Sequence, residues 1–239
     1  MKTADEACPP LRIKQQLKTH GIWWQQNIRT STMIFLLQKS RETVNAMQII
    51  DKSNYKLPAN IRVGIVNVSV AGCKIELFDK TNYQSYASTA ASWMTGIIDI
   101  YSGNPYAHLV EMAKLAQKDG VIKGILLHQG ESNTNDKDWP IKVKAIYDDL
   151  IKDLFLKAEE VPLLAGELVN ADQGGTCASM NSIINELPKT IPNSYIISSK
   201  GCTSRPDHLH FNAAGYRELG MRYGLKMLSL LGYRVDEPE

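Results

Sequence analysis

A doubly wound α/β sandwich is the fold the sequence predicts, and three observations predict it. Short apolar, β-branched runs alternate at least three times with segments of helical period. Each connection between runs is long enough for a crossover helix, as a parallel sheet requires. Polar and glycine residues gather after the runs, where an open α/β sheet carries its ligands.

The elements follow in order. Residues 1–55 fit the pattern poorly: Leu11–Leu17 reads as a short helix, Trp23 and Trp24 as an apolar pair, and Met33–Leu37 as a strand. Ser40–Ile50 has helix formers with Val44, Met47 and Ile50 on one face. The pattern sharpens after Leu57. Pro58 and Asn60 make a turn, and Arg62–Val70 is a Val/Ile-rich strand ending at Ala71-Gly72, where a glycine lets a ligand approach the backbone. Ser92–Tyr101 reads as helical. Pro105 opens a helix through Lys118, with Leu109, Met112, Ala113 and Ala116 inward and Gly120 as a left-handed cap. Val121–Leu127 is a buried strand that turns abruptly into His128-Gln129-Gly130-Glu131-Ser132-Asn133. Pro140 opens the next helix, with Val143, Ile146, Leu150 and Leu154 on its buried stripe. Val161–Leu168 is a strand, 169–176 a loop holding Asn170, Asp172 and two glycines, and Ala178–Leu187 a helix. Ser194–Ser198 is the last strand. A helix from about Asn212 to Leu231 closes the chain, weakened by Gly215, Gly220 and Gly224.

Composition narrows the function. The 239 residues suit one domain, and 44% hydrophobic residues suffice for a core. A net charge of +2 with no basic stripe argues against a nucleic-acid partner. Cys8, Cys73, Cys177 and Cys202 lack the C-x-x-C spacing of a zinc ribbon or redox pair, so no metal is expected. Met33–Leu37 is far too short to span a membrane, and no charged-then-apolar leader opens the chain, so the product as written is expected in the cytoplasm. Gly174-Gly175 makes no G-x-G-x-x-G, which leaves a dinucleotide site with little support.

Four polar loops then fall at the carboxyl ends of strands: Gly72, Gln129–Asn133, Asn170 with Asp172, and Asp207–His210. In Asp207-His208-Leu209-His210, an Asp three residues before a His lets the carboxylate accept from one imidazole nitrogen, leaving the other as a general base. The same string also reads as a helix N-cap beside a surface histidine, and the Gln129–Asn133 cluster as a loop satisfying its own backbone.

Three blocks, VSVAGCKIELF (Val68–Phe78), HQGESN (His128–Asn133) and DHLHFNAAGY (Asp207–Tyr216), occur in this order. Together they resemble the SGNH/GDSL-like hydrolases, in particular the acetylxylan esterase and sialate O-acetylesterase branch of the carbohydrate esterases, over about residues 56–232. The resemblance implies a flavodoxin-like α/β/α sandwich over 56–239, preceded by the poorly matching segment 1–55. It implies deacetylation of an acetylated carbohydrate by a Ser-His-Asp mechanism, with no metal or organic cofactor. His210 would be the base and Asp207 its orienting partner. Gly72 would offer a backbone N–H, and Gln129 a side-chain N–H, to the oxyanion; Glu131 would shape the site. Ser132 and Asn133 would bond within their loop. Ala71 stands where the family prefers a first glycine. The family's G-Q-S-N-M nucleophile string does not occur; Phe35–Ser40 is its nearest echo and makes Ser40 the candidate nucleophile. A catalytically impaired remnant and a non-catalytic carbohydrate-binding domain are the alternatives. A truncated N-terminus would make the protein a secreted or periplasmic one, as relatives commonly are.

Overall fold

Five strands form a single sheet in the order β2-β1-β3-β4-β5: β1 Thr32–Ser40, β2 Ile61–Ser69, β3 Val121–His128, β4 Leu163–Gly166 and β5 Ser194–Ile197. This is a computed structural model that describes residues 32–40, 61–233 and 235. The expected helix Leu11–Leu17, the Trp23-Trp24 pair, the helix beyond Ser40 and the Pro58–Asn60 turn lie outside those residues. β3, β4 and β5 are parallel, whereas β1 runs antiparallel to both of its neighbours. The expected strand Met33–Leu37 thus exists, but residues assigned by sequence to a poorly matching leading segment form an inner strand of the sheet.

Helices cover both faces, as the sequence predicts. Following β2 come α1 Tyr83–Ala87, α2 Ser92–Ile100 and α3 Pro105–Gln117; α4 Trp139–Asp153 joins β3 to β4. α5 Met180–Ile184 and α6 Leu187–Thr190 join β4 to β5, and α7 Ala213–Leu230 follows β5. Strand alternation decides which layer each residue meets. Ile125, Leu127, Leu163 and Ala165 pack in one cluster with Leu109 of α3, Val143, Ile146 and Leu150 of α4, and Met180 of α5. Leu126, Leu164 and Ile197 point to the other face, against Tyr216, Leu219, Tyr223 and Met227 of α7. Burying these apolar side chains is the main drive for closing the layers, at roughly 1.5–3 kcal/mol for each large one.

Three details differ from the sequence reading. Gly120 is not among the glycines with positive φ; α3 stops at Gln117 with Lys118 as its cap at φ −66°, so the helix ends without a left-handed residue. The helix expected over Ala178–Leu187 is two short ones, because Pro188 sits in the first turn of α6 and starts a new helix there. Gly215 does not weaken α7, which runs unbroken. A Cβ at that position would lie 2.2 Å from the Thr203 carbonyl oxygen, so the glycine is what lets the first turn of α7 press against the preceding loop.

Candidate functional site

The direction of the strands places the polar loops. β2 and β3 both oppose β1, and β3, β4 and β5 are parallel, so β2 through β5 end on one rim. Gly72, the 129–133 loop, the 170–176 loop and Asp207–His210 follow those four ends. β1 starts at this rim, Thr32 pairing with Ser69 and His128, and finishes at the far one, where Ser40 pairs with Ile61 at the beginning of β2. A nine-residue strand at about 3.3 Å per residue separates the two rims by roughly 25 Å. Ser40, the candidate nucleophile from sequence, is therefore on the wrong side of the sheet. The reason is the reversed direction of β1, which an apolar run does not encode. Ser40→Ala is expected to leave any ester hydrolysis undiminished, as initial rates of acetate release will show.

The loop before α7 builds the Asp–His pair from its backbone upward. Asp207 Oδ1 accepts the backbone N–H groups of Leu209 and His210, both at 3.0 Å, an Asx-type turn that fixes the carboxylate. Oδ2 is left to face His210 Nδ1 at 2.9 Å. An ionised carboxylate only accepts, so Nδ1 carries the hydrogen and Nε2 is the basic nitrogen. Backbone donation from His210, its imidazole, and the Leu209 N–H together hold the Asp207 carboxyl well below the usual carboxylate range. The competing reading as a helix cap does not hold, since Asn212 caps α7 by accepting from Ala214 and Gly215 at 2.9 Å each. Both side chains are open to solvent, and among the described residues Asp207 is the partner of the His210 imidazole.

On the same rim, beyond β3, the 129–133 loop is a fastener. Gln129 is 2% exposed. Its Nε2 donates to the Cys73 carbonyl (3.2 Å) and to Asn133 Oδ1 (2.8 Å), while its Oε1 accepts the indole N–H of Trp139 at 2.5 Å. The indole can only donate, which fixes the amide orientation. Both amide hydrogens are thus committed inside the protein, and the expectation that Gln129 offers one to an oxyanion is not met. Asn133 and Ser132 also depart from expectation by reaching beyond their loop. Asn133 Oδ1 accepts from Ile75 N–H (2.8 Å), its Nδ2 donates to Glu76 and Asp136 (3.0 Å each), and Ser132 Oγ donates to the Gly72 carbonyl at 2.7 Å. Gly72 itself is exposed, in a turn with φ +62° that suits glycine.

Glu131 sits above His128, a residue the sequence reading did not single out. His128 ends β3, is 5% exposed, stacks at a tilt with Phe211, and has Nε2 4.0 Å from Glu131 Oε1. Burial pushes its imidazole below the ordinary histidine value, against the opposing pull of Glu131. At 4.0 Å the contact is longer than a hydrogen bond. A period-2 count along β3 could have flagged His128 as an inward polar residue. Asn170 and Asp172 go to neighbouring loops, Asn170 bonding Glu167 at 3.4 Å and Asp172 accepting the Gly201 N–H at 2.8 Å. Thr176 N–H donates to the His208 carbonyl, and His208 Nδ1 donates to the Gln173 carbonyl, both at 3.0 Å, so the 170–176 loop braces the one carrying His210.

Two thiols report on this rim. Cys177 is half-buried with Sγ 3.8 Å from the Glu131 carbonyl, whereas Cys202 is 1% exposed with its thiol pushed up to about 11 by burial. Thiolate is the reactive form. Iodoacetamide at pH 8 is expected to label Cys177 well before Cys202, as peptide mass spectrometry will resolve.

Fold and rim together define a class: an α/β sandwich whose carboxyl rim carries an oriented histidine beyond the last strand and a glycine turn beyond an early one. Among the described residues no three His, Cys, Asp or Glu side chains form a metal-holding group, and no helix is long and apolar enough to cross a membrane. A family model described as carbohydrate esterase, sialic acid-specific acetylesterase, matches residues 24–229, and the chain belongs to that family. The match begins upstream of β1. Among solved structures, the X-ray structure of an Arabidopsis thaliana protein is similar at 17% identity and a TM-score of 0.49, over 66% of this chain and 57% of that one.

Proposed function

We propose that this protein hydrolyses O-acetyl esters on sugars, with His210 as general base and Asp207 as the residue that orients it. The observation that carries the proposal is the Asp207 carboxylate, fixed by two backbone N–H groups and turned to His210 Nδ1. His210 Nε2 takes the proton of the attacking hydroxyl as the new C–O bond forms at the acetyl carbonyl. The same proton then passes to the sugar oxygen as the ester bond breaks, and a water deprotonated by Nε2 then attacks the acetyl carbon, releasing acetate as the attacking oxygen regains its proton. Gly72 N–H stabilises the oxyanion in between, and Glu131 shapes the pocket over His128. Family membership supports the substrate class, an acetylated carbohydrate.

A second reading has an observation of its own. Among the described residues His210 meets no hydroxyl, and Ser40 lies on the far rim. That favours a domain that still binds acetylated sugar but turns it over poorly. Acetate release from acetylated xylan and from O-acetylated sialic acid separates the two. If wild type releases acetate no faster than His210→Ala, hydrolysis is ruled out, and calorimetric titration with the same sugars tests the binding reading.

A further inference from the structure

We infer that Trp93 is a platform on which the pyranose ring of the substrate lies, next to the Gly72 turn; this rests on the proposed action on acetylated sugars. Trp93 follows the first residue of α2 and is 56% exposed. Exposure alone would mean little, because single apolar side chains on a surface are ordinary. Its position is what matters. The indole Cζ2–Cη2 edge reaches the Gly72 turn so closely that a Cβ on Gly72 would lie 3.1 Å from Cη2. The absence of a side chain there lets the ring edge meet the backbone proposed to bind the oxyanion.

The platform is also fixed in place. Met94 and Ile98 anchor α2 in the core at 4% exposure each. Tyr86 ties this corner to the glycine turn, its hydroxyl accepting the Lys74 N–H at 3.1 Å and lying 3.5 Å from the Met94 sulfur. The other exposed large apolar side chains among the described residues are Ile100, Val121, Ile141 and Phe155. Val121 opens β3, and Phe155 follows the end of α4, the helix that returns from the end of β3 to the start of β4; both belong to the far rim.

The residues on the N-terminal side of Trp93 suit a sugar. Ser88, Thr89, Ala91 and Ser92, close to Trp93 in the chain, are exposed and small or polar, so polar groups border the indole on this side, while Ile100 extends its face further along α2. A pyranose suits such a setting. Its C–H face carries slight positive charge and lies on the negative face of the indole, while its hydroxyls stay among polar groups. An acetyl carbonyl carbon is two bonds from the ring carbon that bears it. A ring seated on Trp93 therefore brings that carbonyl to Gly72 N–H.

The test uses the full chain, with Trp93→Ala and Trp93→Phe, an acetylated methyl xyloside as sugar substrate, and ethyl acetate as a ring-free ester. Equal melting temperatures establish that the exposed substitution leaves the fold intact. Trp93→Ala should weaken calorimetric binding of the xyloside, and raise KM for it, by about tenfold, a larger loss than any with ethyl acetate, with Trp93→Phe recovering most of it. Equal xyloside binding by wild type and Trp93→Ala, or no binding by wild type at millimolar sugar, overturns the platform. Ethyl acetate cleavage persisting in that case leaves the esterase proposal standing. If neither ester is cleaved but xyloside binding depends on Trp93, the esterase proposal falls and the platform remains.

Discussion

His210→Ala is expected to lower acetate release about 10²–10⁴-fold, the range a positioned general base contributes, with sugar binding little changed. The loss falls on kcat because Nε2 acts only as the proton moves. Asp207→Asn tests the same geometry more finely. An asparagine oxygen can still accept from Leu209 and His210 N–H, so the turn survives. Its amide cannot accept from Nδ1–H, however, and would favour the tautomer in which Nε2 carries the hydrogen and has no lone pair to offer. Asp207→Asn should therefore approach His210→Ala in rate while keeping the wild-type melting temperature. A variant at either position with wild-type turnover would remove the pair from the mechanism.

Asn133→Ala is expected to cost about 2–4 kcal/mol of stability, because it leaves buried groups unpaired instead of merely deleting contacts. For a protein of this size that is a fall in Tm of roughly 5–12 °C. Asn133 is 3% exposed and uses all its capacity, accepting from Ile75 N–H and Gln129 and donating to Glu76 and Asp136. Lys142 completes the cluster, 2.8 Å from Glu76 and 2.6 Å from Asp136. Burial works to raise both carboxyls, but the hydrogen bonds from Lys142 and Asn133 outweigh it and both end below their ordinary values. The sign follows: their contribution is complete above the unfolded carboxylate range, about pH 4, and is lost as pH falls through the lower folded values. Thermal melts between pH 3 and pH 7 should show a shallower acid limb in Asn133→Ala than in wild type. A Tm within about 1 °C of wild type would mean water or a shifted side chain replaces the amide.

The layers were legible in the sequence because helix and strand periods state them directly: Leu109 and Ala113 on α3, Val143, Ile146 and Leu150 on α4, and Ile122 and Ile125–Leu127 of β3 are buried where expected, while Val121 at the start of β3 is exposed. The Asp207–His210 contact was legible because a three-residue spacing in a loop is local. The direction of β1 was not. Met33–Leu37 is equally apolar read either way, and its orientation follows from pairing with β2 and β3, remote in the chain. The role of Gln129 was illegible for a related reason. An amide can donate outward or inward, and what turns this one inward is Trp139, brought back over the loop by the start of α4. Gly215 misled because propensity counts a glycine in a helix as a cost, whereas here its missing Cβ is what the packing against Thr203 requires.

The inner position of β1 also sets an order for assembly. β1 is made first, yet one of its two partners, β3, exists only after His128 has been added to the chain, and β2, at the edge of the sheet, pairs through β1. Contacts so distant in sequence close slowly, since a long loop must lose its freedom before they form. Until then Met33–Leu37 has β2 on one edge and an open edge on the other, and an uncharged apolar segment of high β propensity with an open edge is the kind that joins other chains. β2, and with it the Gly72 turn that walls one side of the site, joins the rest of the sheet only through β1.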